Sequence, residues 1–202
     1  GYTTRNSGGV PKNFKNYFVL QFDRPFTLTA ICDAGKENKS ALETTSKHAQ
    51  GVVGFNTKRG EQVNVRVASS FISIEQAEQN LKELGNRAFD QVCADGRKCW
   101  NEVLGRIEVE DKNIDHLRTF YSCLYRSVLF PRSFYEIDAN GKPVHYSPYN
   151  GKVLPGRMFT DTGFWDTFRA LMPFLDLMYP KMGSWMQEGL VNTWLESGFL
   201  NR

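Results

Sequence analysis

The chain has 202 residues, a net charge of +3 at neutral pH, 41% hydrophobic residues and 23% charged residues. These values suit one large globular domain or two modest ones with a sizeable core. Lys and Arg form no basic stripe, which argues against a dedicated nucleic-acid binder, and no apolar run approaches the roughly 20 residues of a membrane span.

The first third reads as β. Tyr17 to Phe22 is a strand-like run closed by Asp23-Arg24-Pro25, and Phe26 to Cys32 follows with apolar residues at alternate positions. Gly51 to Thr57 is a third candidate, and Val63, Val65 and Val67 alternate with Asn64 and Arg66 after the turn at Lys58-Arg59-Gly60. Period-2 runs joined by turns predict antiparallel sheets in a sandwich. The polar stretch Gly35 to Gln50 reads as a loop, and Asn38-Lys39-Ser40 within it fits a glycosylation sequon, a pattern short enough to arise by chance.

The period changes at Ser73. Ser73 with Gln76 forms a capping box, Ile74, Ala77, Leu81 and Leu84 share a face, and Gly85 ends the helix. A second helix is predicted from Arg87 to Leu104 with Phe89, Val92, Trp100 and Val103 inward, and Arg106 to Glu110 reads as a short strand. A third helix, Ile114 to Leu129, presents Leu117, Phe120, Tyr121, Leu124 and Val128, and Pro131 stops it. Arg132 to Thr160 reads as irregular, apart from a hairpin signal at Asn140-Gly141 between Phe134 to Ile137 and Val144 to Tyr146. Two further helices are predicted, Gly163 to Met178, kinked by Pro173, and Lys181 to Leu195. Strands followed by helices make the fold class α+β.

Chemistry-bearing patterns are sparse. No nucleophile elbow, HExxH or P-loop is present, and His48, His116 and His145 are scattered as packing or surface residues. Cys32, Cys93, Cys99 and Cys123 form no CxxC pair, which argues against zinc and for free, buried thiols. Aromatic residues reach 13%, a value that suits a ring-rich core and a sugar-stacking surface alike. The segment Asp161-Thr162-Gly163-Phe164-Trp165-Asp166-Thr167-Phe168-Arg169 stands where a long loop enters a helix. A carboxylate there sits at the favourable end of the helix dipole and accepts strong hydrogen bonds from sugar hydroxyls, while Trp covers an apolar sugar face. The structural alternative makes Asp161 or Asp166 a helix cap and Trp165 a core residue. A third option makes Asp161 and Asp166 a hydrolytic carboxylate pair.

The run Phe159 to Pro173 (Phe-Thr-Asp-Thr-Gly-Phe-Trp-Asp-Thr-Phe-Arg-Ala-Leu-Met-Pro) resembles the Trp-Asp-Thr region of glycoside hydrolase family 92. Thr119 to Arg126 before Pro131, Ser70 to Ala77, Trp100 to Gly105, and Tyr17 to Phe22 before Arg24-Pro25 resemble further blocks of that family, in order along nearly the whole chain. The resemblance implies an N-terminal β-sandwich (residues 1–72), a helical linker (73–112) and the first helices of an (α/α)6 barrel (113–202). It also implies calcium-dependent, inverting exo-hydrolysis of glycans with terminal α-mannose, in a periplasmic or extracellular setting. Trp165 and Asp166 match the motif residues that build the terminal-mannose pocket. The family's general acid, general base and calcium ligands fall beyond Arg202, so no catalytic or metal-binding residue is assigned here. Gly163 and Phe164 depart from the Ser and Leu expected before the Trp.

Gly1 to Arg5 lacks the apolar core of a signal peptide. The absence of an initiating Met, and an end at Asn201-Arg202 just past a helical stretch, read as an excised or proteolytic piece whose parent compartment stays open. Such a piece is expected to self-associate, or to be ordered only alongside the missing partner sequence, because Phe120, Leu124, Leu171, Leu175 and Leu190 would otherwise form a large exposed patch. Rival readings are a carbohydrate-binding β-sandwich module, disfavoured by the helical second half, and another helical-barrel glycosidase of trehalase-like or glucoamylase-like type, disfavoured by the five ordered blocks. A structural interaction domain would show no sugar affinity.

Overall fold

A computed structural model describes residues 1–200. Packing divides the chain into two compact units, 1–19 with 68–202, and 20–67. The chain passes between them within β2 (Asn16–Phe22) and again within β6 (Val65–Ser70).

The smaller unit is built on β3 (Leu28–Asp33), β4 (Lys36–Asn38) and β5 (Ala49–Gly54), in the order β4–β3–β5 and antiparallel throughout. Ala30, opposite Val52, is buried. Phe22, Phe26 and Phe55 cluster with ring centroids 5.2–6.0 Å apart. Arg24 bonds Glu61 at 2.7 Å, and the Asn64 amide donates to Asp23 at 2.7 Å. β4 lies inside the stretch that reads as a loop. Its three residues are all exposed, so no hydrophobic pattern announces them, and the ladder to β3 alone makes them a strand.

In the larger unit, β1 (Tyr2–Thr3) lies antiparallel to β2 (Asn16–Phe22), and the sheet order is β1–β2–β6 with β6 at Val65–Ser70. Ser73 caps α1 (Ile74–Leu81) by accepting from the Gln76 amide. The capping box is half made: the Gln76 side chain donates to Asn80 and to the Ile137 carbonyl instead of turning back. A single 3-10 turn, Lys82–Leu84, closes the helix at Gly85, whose φ of +54° favours glycine.

α2 (Phe89–Leu104) and α3 (Ile114–Ser127) follow, with no strand between them where Arg106 to Glu110 reads as one. α3 turns Leu124 inward as the periodicity predicts. α2 does not follow its pattern, because Phe89 is 73% exposed and no residue of the helix is buried. Periodicity marks an apolar stripe; a neighbour has to cover it.

The stretch 132–160, expected to be irregular apart from a hairpin, holds five short strands. β7 (Arg132–Ser133) pairs with β11 (Phe159–Thr160), and β8 (Glu136–Ile137), β9 (Pro143–Tyr146) and β10 (Val153–Pro155) form a sheet ordered β10–β9–β8. The predicted hairpin is present, closed by the Gly141 amide on the Asp138 carbonyl. The predicted helix at Gly163 to Met178 is two helices, α4 (Phe164–Thr167) and α5 (Leu171–Met178). Pro173 stands in the first turn of α5, where its missing amide hydrogen costs nothing, so it breaks no helix. α6 (Pro180–Ser197) packs on α5 and ends at Gly198, φ +82°.

The core of this unit joins Ala77, Leu124, Tyr146, Met158, Leu175 and Met186. Leu124 and Leu175 are therefore buried, and Phe120, Leu171 and Leu190 half-buried, contrary to the expectation that these five form an exposed patch. The exposed apolar residues on the helices include Ile114, Leu177, Val191, Trp194 and Leu195. The four thiols are free, but Cys93, Cys99 and Cys123 are exposed and Cys32 is intermediate, so burial was the wrong expectation for them.

Candidate functional site

β11 delivers the chain to the Trp-Asp segment. Thr160 pairs with Arg132 across the two-residue ladder, and Asp161 then takes a left-handed backbone, φ +61°. Asp tolerates this region better than most residues, though it remains uncommon outside glycine. The Asp161 carboxylate lies 3.4 Å from Nε of Arg132. Thr162 Oγ1 is buried without a hydrogen-bond partner among the described residues.

Gly163 opens α4. Its carbonyl accepts from the Asp166 amide at 3.0 Å, the Thr167 amide at 3.2 Å and the Thr167 hydroxyl at 3.0 Å. The N-cap makes no side-chain bond, so neither Asp161 nor Asp166 caps the helix. Asp166 is exposed and stands in the first turn, with its carboxylate folded over Gly163. Trp165 is 65% exposed and is not a core residue. Its ring lies 6.2 Å from Phe168, which stacks on Phe164 at 6.1 Å. The Arg169 guanidinium lies 5.4 Å from the Trp165 ring and 5.2 Å from Phe168. One short turn thus presents an open indole, a cation over its ring and a carboxylate. The polar side can bond hydroxyls while the indole covers an apolar face.

Trp165 and Asp166, the two residues named from sequence, share this turn. Asp161 faces Arg132 instead. The contribution of Arg169 was legible in principle, since a cation four residues after an aromatic shares its helical face. The Arg132–Asp161 pair was not legible, because the ladder between β7 and β11 creates it.

A largely apolar cavity of about 410 Å³ lies apart from this turn, lined among others by Trp100, Val128, Phe130, Phe159, Tyr179 and Met186. Its lining contains no carboxylate, so it offers no acid or base for hydrolysis. His116 bonds Asp111 at the surface, at 3.0 Å. His145 is fully buried and faces Glu196. Nearby, Arg157 bonds Glu188 through its backbone amide and its guanidinium. Partial burial pushes the Glu188 carboxyl up, but the Arg157 amide, the Arg157 guanidinium and His145 outweigh it and hold the group below its ordinary range. Among the described residues no three His, Cys, Asp or Glu side chains come together in a group able to hold a metal ion. Among the same residues no helix is long and apolar enough to cross a membrane.

Residues 1–70 match the glycosyl hydrolase family 92 N-terminal domain, and residues 76–202 match the glycosyl hydrolase family 92 catalytic domain. The fold is similar to that of a family 92 inverting mannosidase from Bacteroides thetaiotaomicron VPI-5482, with a TM-score of 0.93 and 42% identity over 98% of this chain and 27% of that one. It is similar also to a family 92 alpha-mannosidase from Bacteroides thetaiotaomicron, solved with mannoimidazole, with a TM-score of 0.79 and 25% identity over 94% of this chain and 25% of that one. Over 78 residues the chain is 36% identical to an uncharacterized secreted glycosidase of Arthroderma benhamiae, a stretch covering 36% of this chain and 10% of that protein. The chain spans about a quarter of the length of these solved relatives.

Proposed function

Because the chain belongs to glycoside hydrolase family 92, we propose that it forms part of an inverting exo-α-mannosidase that removes terminal α-mannose from glycans outside the cytoplasm, in a periplasmic or extracellular setting. The observation that carries this reading is the α4 turn, where an open Trp165 indole adjoins an Asp166 carboxylate that caps nothing. Trp165 covers the apolar face of the terminal sugar, and Asp166 accepts hydrogen bonds from its hydroxyls. The likeness to two mannosidases and to a secreted glycosidase supports the substrate class and the compartment. Residues 1–72 serve as part of the β-sandwich, 73–112 as linker and 113–202 as the opening helices of the catalytic barrel.

Inversion needs a general acid to protonate the leaving oxygen and a base to activate water on the opposite face. No residue of this chain is assigned either role. Calcium would help to bind and distort the sugar in the parent protein, through ligands outside this chain. The isolated chain is therefore expected not to hydrolyse aryl α-mannosides, with or without calcium.

The test is Asp166→Asn in the full-length parent. A hydrogen bond to a charged acceptor contributes roughly 1.5–3 kcal/mol, so catalytic efficiency should fall about tenfold to a hundredfold with the melting temperature unchanged. Unchanged efficiency would remove Asp166 from the site.

A further inference from the structure

α6 carries Glu188, Asn192 and Glu196 at four-residue intervals, which places them on one face of the helix. Glu188 and Asn192 reach the segment that leads into β11, and Glu196 reaches His145 on β9. Glu188 accepts from the Arg157 amide at 3.0 Å and from Arg157 Nη1 at 2.9 Å. Asn192 Nδ2 donates to the Arg157 carbonyl at 2.8 Å. Glu196 Oε1 lies 2.8 Å from His145 Nε2, and the other ring nitrogen, Nδ1, lies 3.0 Å from the Gly156 carbonyl. The His145 side chain is 0% exposed and that of Glu196 8%. Glu196 Oε2 is buried without a partner among the described residues.

The donor roles settle the proton count. A carbonyl oxygen only accepts, so Nδ1 carries a hydrogen. Nε2 and Oε1 then need one hydrogen between them. Either an imidazolium faces a carboxylate, or a carboxylic acid donates to a neutral imidazole. Without that hydrogen, two acceptors would face each other in a buried site and the contact would turn repulsive.

We propose that His145 and Glu196 are positioning residues for the sugar-binding turn, and that they hold it through the one hydrogen the two side chains share. The route is short and packed. The pair and the Arg157 contacts hold Gly156 and Arg157 on α6. Met158, next in the chain, is fully buried, accepts from the Phe134 amide at 2.8 Å through its carbonyl, and has the Thr193 hydroxyl 3.4 Å from its sulfur. Phe159 packs against Gly189 of α6 and starts β11, which leads through Asp161 to Trp165 and Asp166. Among the described residues, Glu188 on α6 and Arg157 on the facing segment stand beside the pair and bond each other; β10 faces His145 with Leu154.

The proposal rests on the assignment of Trp165 and Asp166 to the mannose site. The test measures dissociation constants for mannoimidazole and melting temperatures in the full-length parent. Glu196→Gln keeps both hydrogen bonds, because the amide donates to a neutral Nε2. Glu196→Ala removes the contact. At neutral pH we expect the Gln variant to bind as wild type and the Ala variant to bind about tenfold more weakly, the scale of one misplaced hydrogen bond to a charged group. An Ala variant that melts lower yet binds as tightly as wild type would reduce the pair to fold stability and overturn the proposal, as would a Gln variant that binds as weakly as the Ala variant. Asp166→Asn, measured alongside, separates the two readings: if it leaves binding unchanged, the site assignment fails, whatever Glu196 does.

Discussion

Gly163 leaves room for Asp166: a methyl group built on the Gly163 α-carbon would lie 2.8 Å from Oδ2 of Asp166. The backbone of Gly163, φ −83°, suits any residue, so the open space, and not conformational freedom, is what glycine supplies here. Gly163→Ala should push the carboxylate aside while α4 still forms. The expected result is weaker binding of mannoimidazole by the full-length parent, by about tenfold at most, with an unchanged melting temperature. Wild-type affinity would show that Asp166 acts from another rotamer or not at all.

Trp165 is mostly exposed, so Trp165→Ala should change stability by no more than about 0.5 kcal/mol. Affinity for the sugar should fall about threefold to tenfold, the scale of a ring-face contact. Calorimetry and a thermal melt on one preparation check both halves. A large loss of stability would return the indole to the core.

The Glu188 carboxyl is held below its ordinary range, chiefly by Arg157 acting against partial burial. A depressed carboxylate stabilises the fold at pH above the unfolded group's value, and this stabilisation is lost as pH falls through the lower folded value. The melting temperature should therefore drop below about pH 4.5, and Glu188→Gln should flatten that limb. An identical acid limb in the variant would assign the effect to other carboxylates.

Gly189→Ala sets two terms against each other. Alanine favours the helix interior by up to about 1 kcal/mol, but its methyl would sit 3.0 Å from Cδ2 of Phe159, and overpacking costs about 1–3 kcal/mol. Net destabilisation of up to about 2 kcal/mol is expected from a denaturant titration. A more stable variant would show that the Phe159 ring gives way freely.

The isolated 202-residue chain should self-associate. Leu177 is 79% exposed, and Ile114, Val191, Trp194 and Leu195 add further uncovered apolar surface on the helices, more than a soluble monomer ordinarily shows. Sedimentation should report species larger than a monomer, and a monodisperse monomer that binds no hydrophobic dye would refute this.

Sequence by itself determined the elements whose signal is local. The strand around Val65 and Val67, the Ser73 cap, the Asn140-Gly141 turn and the inward face of α3 all follow from neighbours in the chain, as does the order of strands before helices; the alternation did not fix the strand's face, since Val65 and Val67 are exposed and Arg66 between them is half-buried. The ordered blocks, Trp165-Asp166 among them, pointed to family 92 for the same reason: a motif is a local record. Tertiary structure decided what depends on partners far along the chain. β7 and β11 are two residues each and exist only as each other's ladder. Phe89 has an amphipathic pattern around it and still lies open, because periodicity says which face is apolar and not whether anything covers it. His145 gave no sign of its partner, since Glu196 lies 51 residues away and only the packing of α6 against the Gly156 segment brings the two buried groups to 2.8 Å.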